Sequence, residues 1–347
     1  MTSILYLSCH EVLEHDEVSM LDEMGLSVYS ISASAGTVLN TVRSTTSLEA
    51  QINDIMGPRR PSQISEISDE FLDFFDVIIV MHMSSWIDEN RHRLTGKRII
   101  LRTIGQNISH NEEHIASMCG FVETVRYSPK ERLIPGYAGE AALIRFAKDE
   151  QRFSGWNPAN SRILCFGNQL LRRPEHTSLR LLLESSLGFD FELYGAGNTG
   201  LSISKGVASD TQQIQLYQSS GAYYNHHTLP ASYTLGFIEA MMMGMPIVTP
   251  SRKAFETSTS ELARNCSFLC ELTEIMSDGC GFAVDTPSDA TTAFALIFSD
   301  LDYAKSVGNA ARVRAIEMFG RESVSHQWRA LLGSCLLYTS DAADDTP

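Results

Sequence analysis

The sequence lacks any apolar run near the roughly twenty residues a membrane-spanning helix needs, and it opens on a short strand-like Ile4–Leu7 run, not a basic leader. These absences predict a cytoplasmic protein without a transmembrane segment. Basic residues are few, with 27 Lys and Arg against 42 Asp and Glu, a formal net charge of −15. Such a field repels phosphate backbones and anionic lipid, which excludes bulk nucleic acid as a partner but leaves room for a local basic pocket around one diphosphate. Cysteine is sparse and unpaired. The seven cysteines, at 9, 119, 165, 266, 270, 280 and 335, are odd in number and show no C-x2-C spacing, so reduced thiols and no metal site are expected, even at Cys266, Cys270 and Cys280.

What is present is ordinary globular material. The chain has 347 residues, 43% hydrophobic and 20% charged, enough for two domains with separate cores. The last stretch, Cys335 to Asp345, reads like a translated transposon-type sequencing adapter, and residues 335–347 are left out of the fold reading.

The first half alternates short apolar runs with helical or polar stretches. Ile4–Ser8, Leu26–Ile31, Val77–Met81 and Arg98–Leu101 read as strands, Glu11–Met24 as a helix, and Thr37–Ser68 as a long polar loop with room for a helix. A loop-like Gly155-Trp156-Asn157-Pro158 interrupts the pattern, and a second series follows. Its strands are Ile163–Phe166, Phe189–Leu193, Ala222–Asn225 and Pro246–Thr249, with helices near Ser178–Ser186 and Thr234–Met243. The expectation is α/β, two doubly wound Rossmann-like domains facing a cleft, with ligands beyond the carboxyl ends of the strands.

The most informative stretch runs from Pro230 to Val248: a loop, an N-cap candidate at Thr234, a helix stopped by Gly244, and a buried strand. The helix start offers free amides and partial positive charge to a phosphate, and Glu239 lies just over one turn inside, within reach of a ribose.

Glu239-Ala240-Met241 with Gly244-x-Pro246-Ile247-Val248 resembles the donor-site signature of GT-B glycosyltransferases of the retaining, glycogen-synthase-like superfamily (glycosyltransferase group 1). The resemblance implies that Glu239 binds the nucleotide ribose and that the backbone amides of Thr234 and Leu235 face the diphosphate, with Tyr233 among the donor-binding residues. Ile163 to Asn168 with Arg172-Arg173 resembles the strand and glycine that open the family's donor domain. Arg173 stands where the family has a lysine, Asn168 where it has an arginine, and Arg172 supplies a second positive charge. A cation there stabilises the negative charge that grows on a departing nucleoside diphosphate. The family's earlier glutamate, which touches the donor sugar, falls on Ala231. Gly279–Val284, Asn309–Val313 and Met318-Phe319 resemble the family's closing segments, and Asp76–His82 its N-terminal strand ending in a histidine, which makes His82 a candidate beside the reacting sugar.

The reading is thus residues 1–155 as acceptor domain, 156–318 as nucleotide-sugar donor domain, and 319–334 as a closing helix returning toward the first domain. The implied activity is transfer of a sugar from a nucleoside-diphosphate sugar to a hydroxyl of a glycan, lipid or small molecule, of hexosyltransferase type, metal-independent and with no cofactor beyond the donor substrate. Catalytic candidates are Arg173, Glu239 and His82; donor-binding candidates are Gly167, Asn168, Arg172, Arg173, Gly195, Tyr233, Thr234, Leu235 and Glu239. The alternative is a catalytically silent GT-B module that binds a nucleotide or glycan, motivated by Ala231 and Asn168.

Other features read more plainly. Gly195-Ala196-Gly197-Asn198-Thr199-Gly200 spells the G-x-G-x-x-G fingerprint of dinucleotide sites, but the polar Ser202–Ser209 stretch follows where a helix should open. His226-His227 follows a strand at the loop expected to line the cleft. Asp300-Leu301-Asp302 reads as a solvated helix start, and Met241–Met243 as core packing. The cluster His10-Glu11, Glu14-His15-Asp16-Glu17 fits either acceptor hydroxyls or an acidic exposed helix face.

Overall fold

The computed structural model describes residues 2–32, 46–105 and 108–333. The adapter-like tail and residues 37–45 of the expected loop lie outside the described residues; Thr46–Met56 is a helix. The chain divides into two compact units, one running to Ala147 and taking in the helix Arg321–Gly333, the other Lys148–Gly320.

The first unit holds β1 (Ser3–Ser8), β2 (Ser27–Ser32), β3 (Val77–Met81), β4 (Arg98–Arg102), β5 (Glu123–Arg126) and β6 (Ala142–Leu143) in a parallel sheet ordered β2-β1-β3-β4-β5-β6. The Val-Ile-Ile-Val-Met run of β3 is buried throughout, the pattern of a parallel strand covered on both faces. Its core joins Leu5, Leu7, Ile78, Val80 and Leu101 to Phe71, Phe75 and Ile115.

One expectation is corrected here. The acidic cluster on the helix Glu11–Glu23 does not form an exposed face: Glu14, Asp16 and Glu17 are buried. Glu17 takes the Nε and Nη2 of Arg102 at 2.9 and 2.7 Å and the hydroxyl of Tyr6, while Glu14 accepts from Ser30 at 2.9 Å. Arg102 also lies over the rings of Phe146 and Trp328. A charge so deep is tolerable because its hydrogen-bonding capacity is met by ionic and carbonyl partners.

The second unit holds β7 (Ile163–Phe166), β8 (Phe191–Tyr194), β9 (Ser204–Gly206), β10 (Ala222–Tyr224), β11 (Ile247–Pro250) and β12 (Phe282–Val284), all parallel, ordered β12-β11-β10-β7-β8-β9. Counted within the unit this is the Rossmann order 3-2-1-4-5-6. The order reverses between β7 and β10, so the loops after these two strands part and leave a crevice at their carboxyl ends; in the first unit the reversal lies between β1 and β3. The helices Leu235–Met243 and Leu301–Phe319 approach closely, since a Cβ on Gly308 would stand 2.0 Å from the Gly244 carbonyl oxygen. Gly244 itself stops the first of these helices in the left-handed conformation, φ 83°. Met241 to Met243 are buried in this packing, as their pattern predicts.

Candidate functional site

The crevice of the second unit is built on two glycines. After β7, Gly167 has the His226 ring against it, and a Cβ there would meet Cε1 at 2.6 Å. After β8, Gly195 sits at φ +145° with its absent Cβ directed at the Gly167 carbonyl, 2.0 Å away. No residue with a side chain fits at Gly195 without moving one loop off the other. Asn198, 1% exposed, locks the pair: its Nδ2 donates to the Gly167 and Gly195 carbonyls at 2.6 and 3.1 Å, and its Oδ1 accepts from Leu170 N–H at 2.9 Å. Asn168 adds a tie, accepting from Ala196 N–H at 2.8 Å. The G-x-G-x-x-G turn therefore clasps its neighbouring loop and leads to β9, with the next helix starting only at Asp210; it opens no helix for a pyrophosphate.

Arg173 is half-buried beside this platform, its Nη2 donating to the Asn168 carbonyl at 3.1 Å while its buried Nε has no partner among the described residues. Arg172 is exposed. A cavity of ≈ 320 Å³ opens just beyond them, lined among others by Pro174, Thr177, Leu229, Phe255 and Ser260.

The loop after β10 carries Asn225, His226 and His227, all buried. His226 lies between the Cys165 thiol, 3.8 Å from Nδ1, and the Thr228 hydroxyl, 3.3 Å from Nε2. Burial, with the nearby Arg173 charge, pushes its pKa down to about 4, so it is a neutral imidazole. His227, at φ 55°, packs its ring on Phe255, and neither ring nitrogen has a hydrogen bond of good geometry among the described residues; burial, then the neighbouring His226, drive it down to about 3 against a smaller upward pull from the Ala231 backbone. Of the pair, then, His226 is the one with polar partners.

Thr234 occupies the N-cap position of the helix Leu235–Met243, but its side chain does not cap it. The hydroxyl donates to Asn225 Oδ1 at 3.1 Å instead, and Asn225 in turn donates to Thr249. The first-turn amides therefore keep no side-chain acceptor, the condition for anion binding at a helix start. Tyr233 is 2% exposed with its ring edge-on to Phe319, so only its backbone is available at the loop.

Glu239 is the charged residue of an otherwise apolar helix, 4% exposed. Lys148 Nζ donates to its Oε1 at 2.6 Å; Tyr217 hydroxyl and Gln213 Nε2 both donate to its Oε2 at 3.0 Å. Lys148 is itself pinned by its amide on the Phe319 carbonyl at 2.8 Å and by the Phe153 ring under its ammonium. Tyr217 also contacts Phe166, the residue before Gly167, which links this carboxylate to the glycine platform. Lys148, Gln213 and Tyr217 carry no motif that marks them in sequence, and Asn198 is a variable position of the glycine motif.

The structure places Gly167, Asn168, Arg172 and Arg173 after β7, Gly195 after β8, and Tyr233, Thr234, Leu235 and Glu239 on the loop and helix after β10. His82 lies in the first unit, directly after β3 at that unit's own switch point, with φ 63° and a pKa lowered by burial. It lines a small cleft with Ser84, Thr103 and Asn111. Among the described residues no group of three or more His, Cys, Asp or Glu is arranged to hold a metal ion, and no helix is long and apolar enough to cross a membrane.

No protein-family model matches the chain, and no curated protein matches it in sequence. Solved structures do. The chain is similar to sucrose-phosphate synthase from Thermosynechococcus elongatus at 13% identity, with a TM-score of 0.65 over 97% of this chain and 100% of that one. It is similar to Anabaena HepE, solved with UDP and glucose, at 11% identity and a TM-score of 0.64, covering 96% and 100%. A glycosyltransferase from Rickettsia africae matches at 15% identity and a TM-score of 0.63, over 99% of both chains. These likenesses establish the fold: the chain is an α/β protein of the GT-B type, the architecture of these glycosyltransferases.

Proposed function

We propose that this protein is a cytoplasmic, nucleotide-sugar-dependent glycosyltransferase of hexosyltransferase type that passes a sugar to an acceptor hydroxyl with retention of configuration, without a metal. The observation that carries the reading is the convergence, at the switch point of the second unit, of a glycine platform, an uncapped helix start and a buried carboxylate. Those are the parts that a nucleoside diphosphate requires: a surface the phosphates can approach, amides to meet their charge, and an acceptor for ribose hydroxyls. HepE has been solved with UDP and with UDP-glucose, which supports a nucleotide-sugar donor for this fold.

In this reading Glu239 accepts from the ribose, the amides of Thr234 and Leu235 bind the diphosphate, and Gly167 and Gly195 let it approach. As the bond from the anomeric carbon to the phosphate oxygen breaks, negative charge grows on the diphosphate, and Arg173 with Arg172 stabilises it. The cavity lined by Pro174, Thr177, Leu229, Phe255 and Ser260 is of a size for a small ligand and is assigned to the donor sugar. The first unit binds the acceptor, a glycan, lipid or small molecule, and His82 is its candidate for contact with the reacting sugar.

One observation favours a second reading. Ala231 and Asn168 stand where the resembled family has a glutamate and an arginine, which suits a GT-B module that binds a nucleotide or glycan without turnover. Release of nucleoside diphosphate from a panel of UDP-, GDP- and ADP-sugars, with and without mixed oligosaccharide acceptors, separates the two. The transferase reading expects release that depends on Arg173; binding without release from any donor establishes the silent module.

A further inference from the structure

Away from the crevice of the second unit, one cluster of polar side chains in the first unit forms an ordered relay. β3 ends at Met81, and the chain turns through His82, at φ 63°, with Met83 N–H donating to the Met81 carbonyl at 2.8 Å and Ser84 N–H to the His82 carbonyl at 3.0 Å. Ser84 is therefore the first residue of the helix Ser84–Asn90, half-buried and lining the small cleft together with His82, Thr103 and Asn111. Its hydroxyl lies 3.4 Å from Nδ1 of His114, on the helix Ser109–Ser117 that follows β4. Nε2 of the same ring lies 3.2 Å from Oδ2 of Asp88, one turn beyond Ser84 on its own helix. Donor chemistry sets the direction of these contacts. A carboxylate only accepts, so Asp88 fixes the proton of a neutral imidazole on Nε2; Nδ1 is left as an acceptor, and the Ser84 hydroxyl must donate to it. That order of serine, base and carboxylate is the one that turns a hydroxyl into a nucleophile. As a tie between two helices the set contributes little, since the His114 and Asp88 side chains are 29% and 48% exposed.

We propose that Ser84, His114 and Asp88 form a separate hydrolytic site that cleaves small acyl esters. Ser84 Oγ bonds to the acyl carbonyl carbon while its proton passes to His114 Nδ1; the ester C–O bond breaks, and the departing alcohol takes that proton. Water then attacks the acyl-serine and gives a proton to Nδ1, and the carboxylic acid leaves as that proton returns to Ser84 Oγ. The small cleft beside Ser84 sets the acyl class to a short chain. This chemistry is independent of nucleotide binding by the second unit.

The test uses the full chain with p-nitrophenyl acetate and with a short-chain fluorophosphonate, which bonds covalently to activated serines. Mass spectrometry is expected to find the phosphonate on Ser84, and p-nitrophenol release to be saturable and lost in Ser84→Ala. His114→Gln should slow both reactions by about a hundredfold or more. Asp88→Asn separates catalysis from a tie between the helices. The asparagine can keep a hydrogen bond to His114, but by donating its amide to Nε2 it moves the ring proton to Nδ1, which then no longer accepts from Ser84. Both reactions should therefore slow by roughly tenfold or more, with the unfolding midpoint unchanged. Absence of an adduct on Ser84, or labelling at the wild-type rate in His114→Gln or Asp88→Asn, overturns the proposal.

Discussion

In the first unit Arg102 and Arg126 are wholly buried, and each meets a carboxylate with two nitrogens, Glu17 and Glu112 respectively. In the second, the buried Lys148 meets Glu239 through a single contact, and neutral donors complete the carboxylate. The planar fork of arginine satisfies a carboxylate face to face, and carbonyls such as Ile144 and Gly139 take the remaining donors. Such a pair is closed and holds strands and helix together. The lysine pair is a point charge on one oxygen of a carboxylate whose other oxygen takes the Tyr217 hydroxyl and the Nε2 of the half-buried Gln213. Similar burial is thus met by two different sets of donors in the two units.

The largest expected effect breaks the first side of that comparison. Arg102→Met leaves Glu17 buried without its cation and should lower stability by about 3–5 kcal/mol in urea unfolding of the first unit's signal; a loss under about 1 kcal/mol would mean that Glu17 finds water at little cost. Next in size is Asn198→Ala, which strands one amide and two carbonyls at the loop clasp. It should cost about 1–3 kcal/mol and weaken nucleotide binding, because the clasp sets the Gly167 platform; unaltered binding would separate the clasp from the site.

A pH-dependent effect belongs to the second unit alone. His226 and His227 have folded-state pKa values of about 4 and about 3, below the ordinary value of 6.5. The unfolded chain therefore binds protons first. The stability of the unit is full above about pH 6.5 and falls as the pH drops toward the folded values, by up to about 1.4 kcal/mol per pH unit for each histidine. Unfolding followed from about pH 7 to pH 5 should show this slope, and His227→Phe should be shallower; equal slopes would place the ring in contact with water. At the small end, the exposed Arg180–Glu184 pair on the helix Leu179–Ser185 should be dispensable, with no resolved change in the unfolding midpoint for Arg180→Ala.

The sequence was legible where burial is continuous. The runs Ile4–Leu7, Val77–Met81 and Ile163–Phe166 announce parallel strands because both faces are covered and polar residues are excluded. β5, β6 and β9 escaped, since Glu-Thr-Val-Arg, Ala-Leu and Ser-Lys-Gly are too short or polar to show a period. Gly167, Arg173 and Glu239 stand out in the sequence through their resemblance to a family motif with fixed offsets. Their partners do not. Lys148 stands 91 residues from Glu239, and Arg102 stands 85 from Glu17, and no local pattern records a pairing that only the tertiary fold creates. The same blindness left Glu14, Asp16 and Glu17 open to reading either as acceptor-binding groups or as a solvated face.

Binding of a nucleoside diphosphate by the second unit through Glu239 is tested by thermal unfolding of residues 1–334 with UDP, GDP, ADP and NAD, repeated on Glu239→Ala. A ligand at one hundred times its dissociation constant stabilises by about 2.7 kcal/mol, a shift of a few degrees. The account predicts such a shift with one nucleoside diphosphate, none with NAD, and its loss in Glu239→Ala. A shift that survives Glu239→Ala, or appears only with NAD, would contradict it.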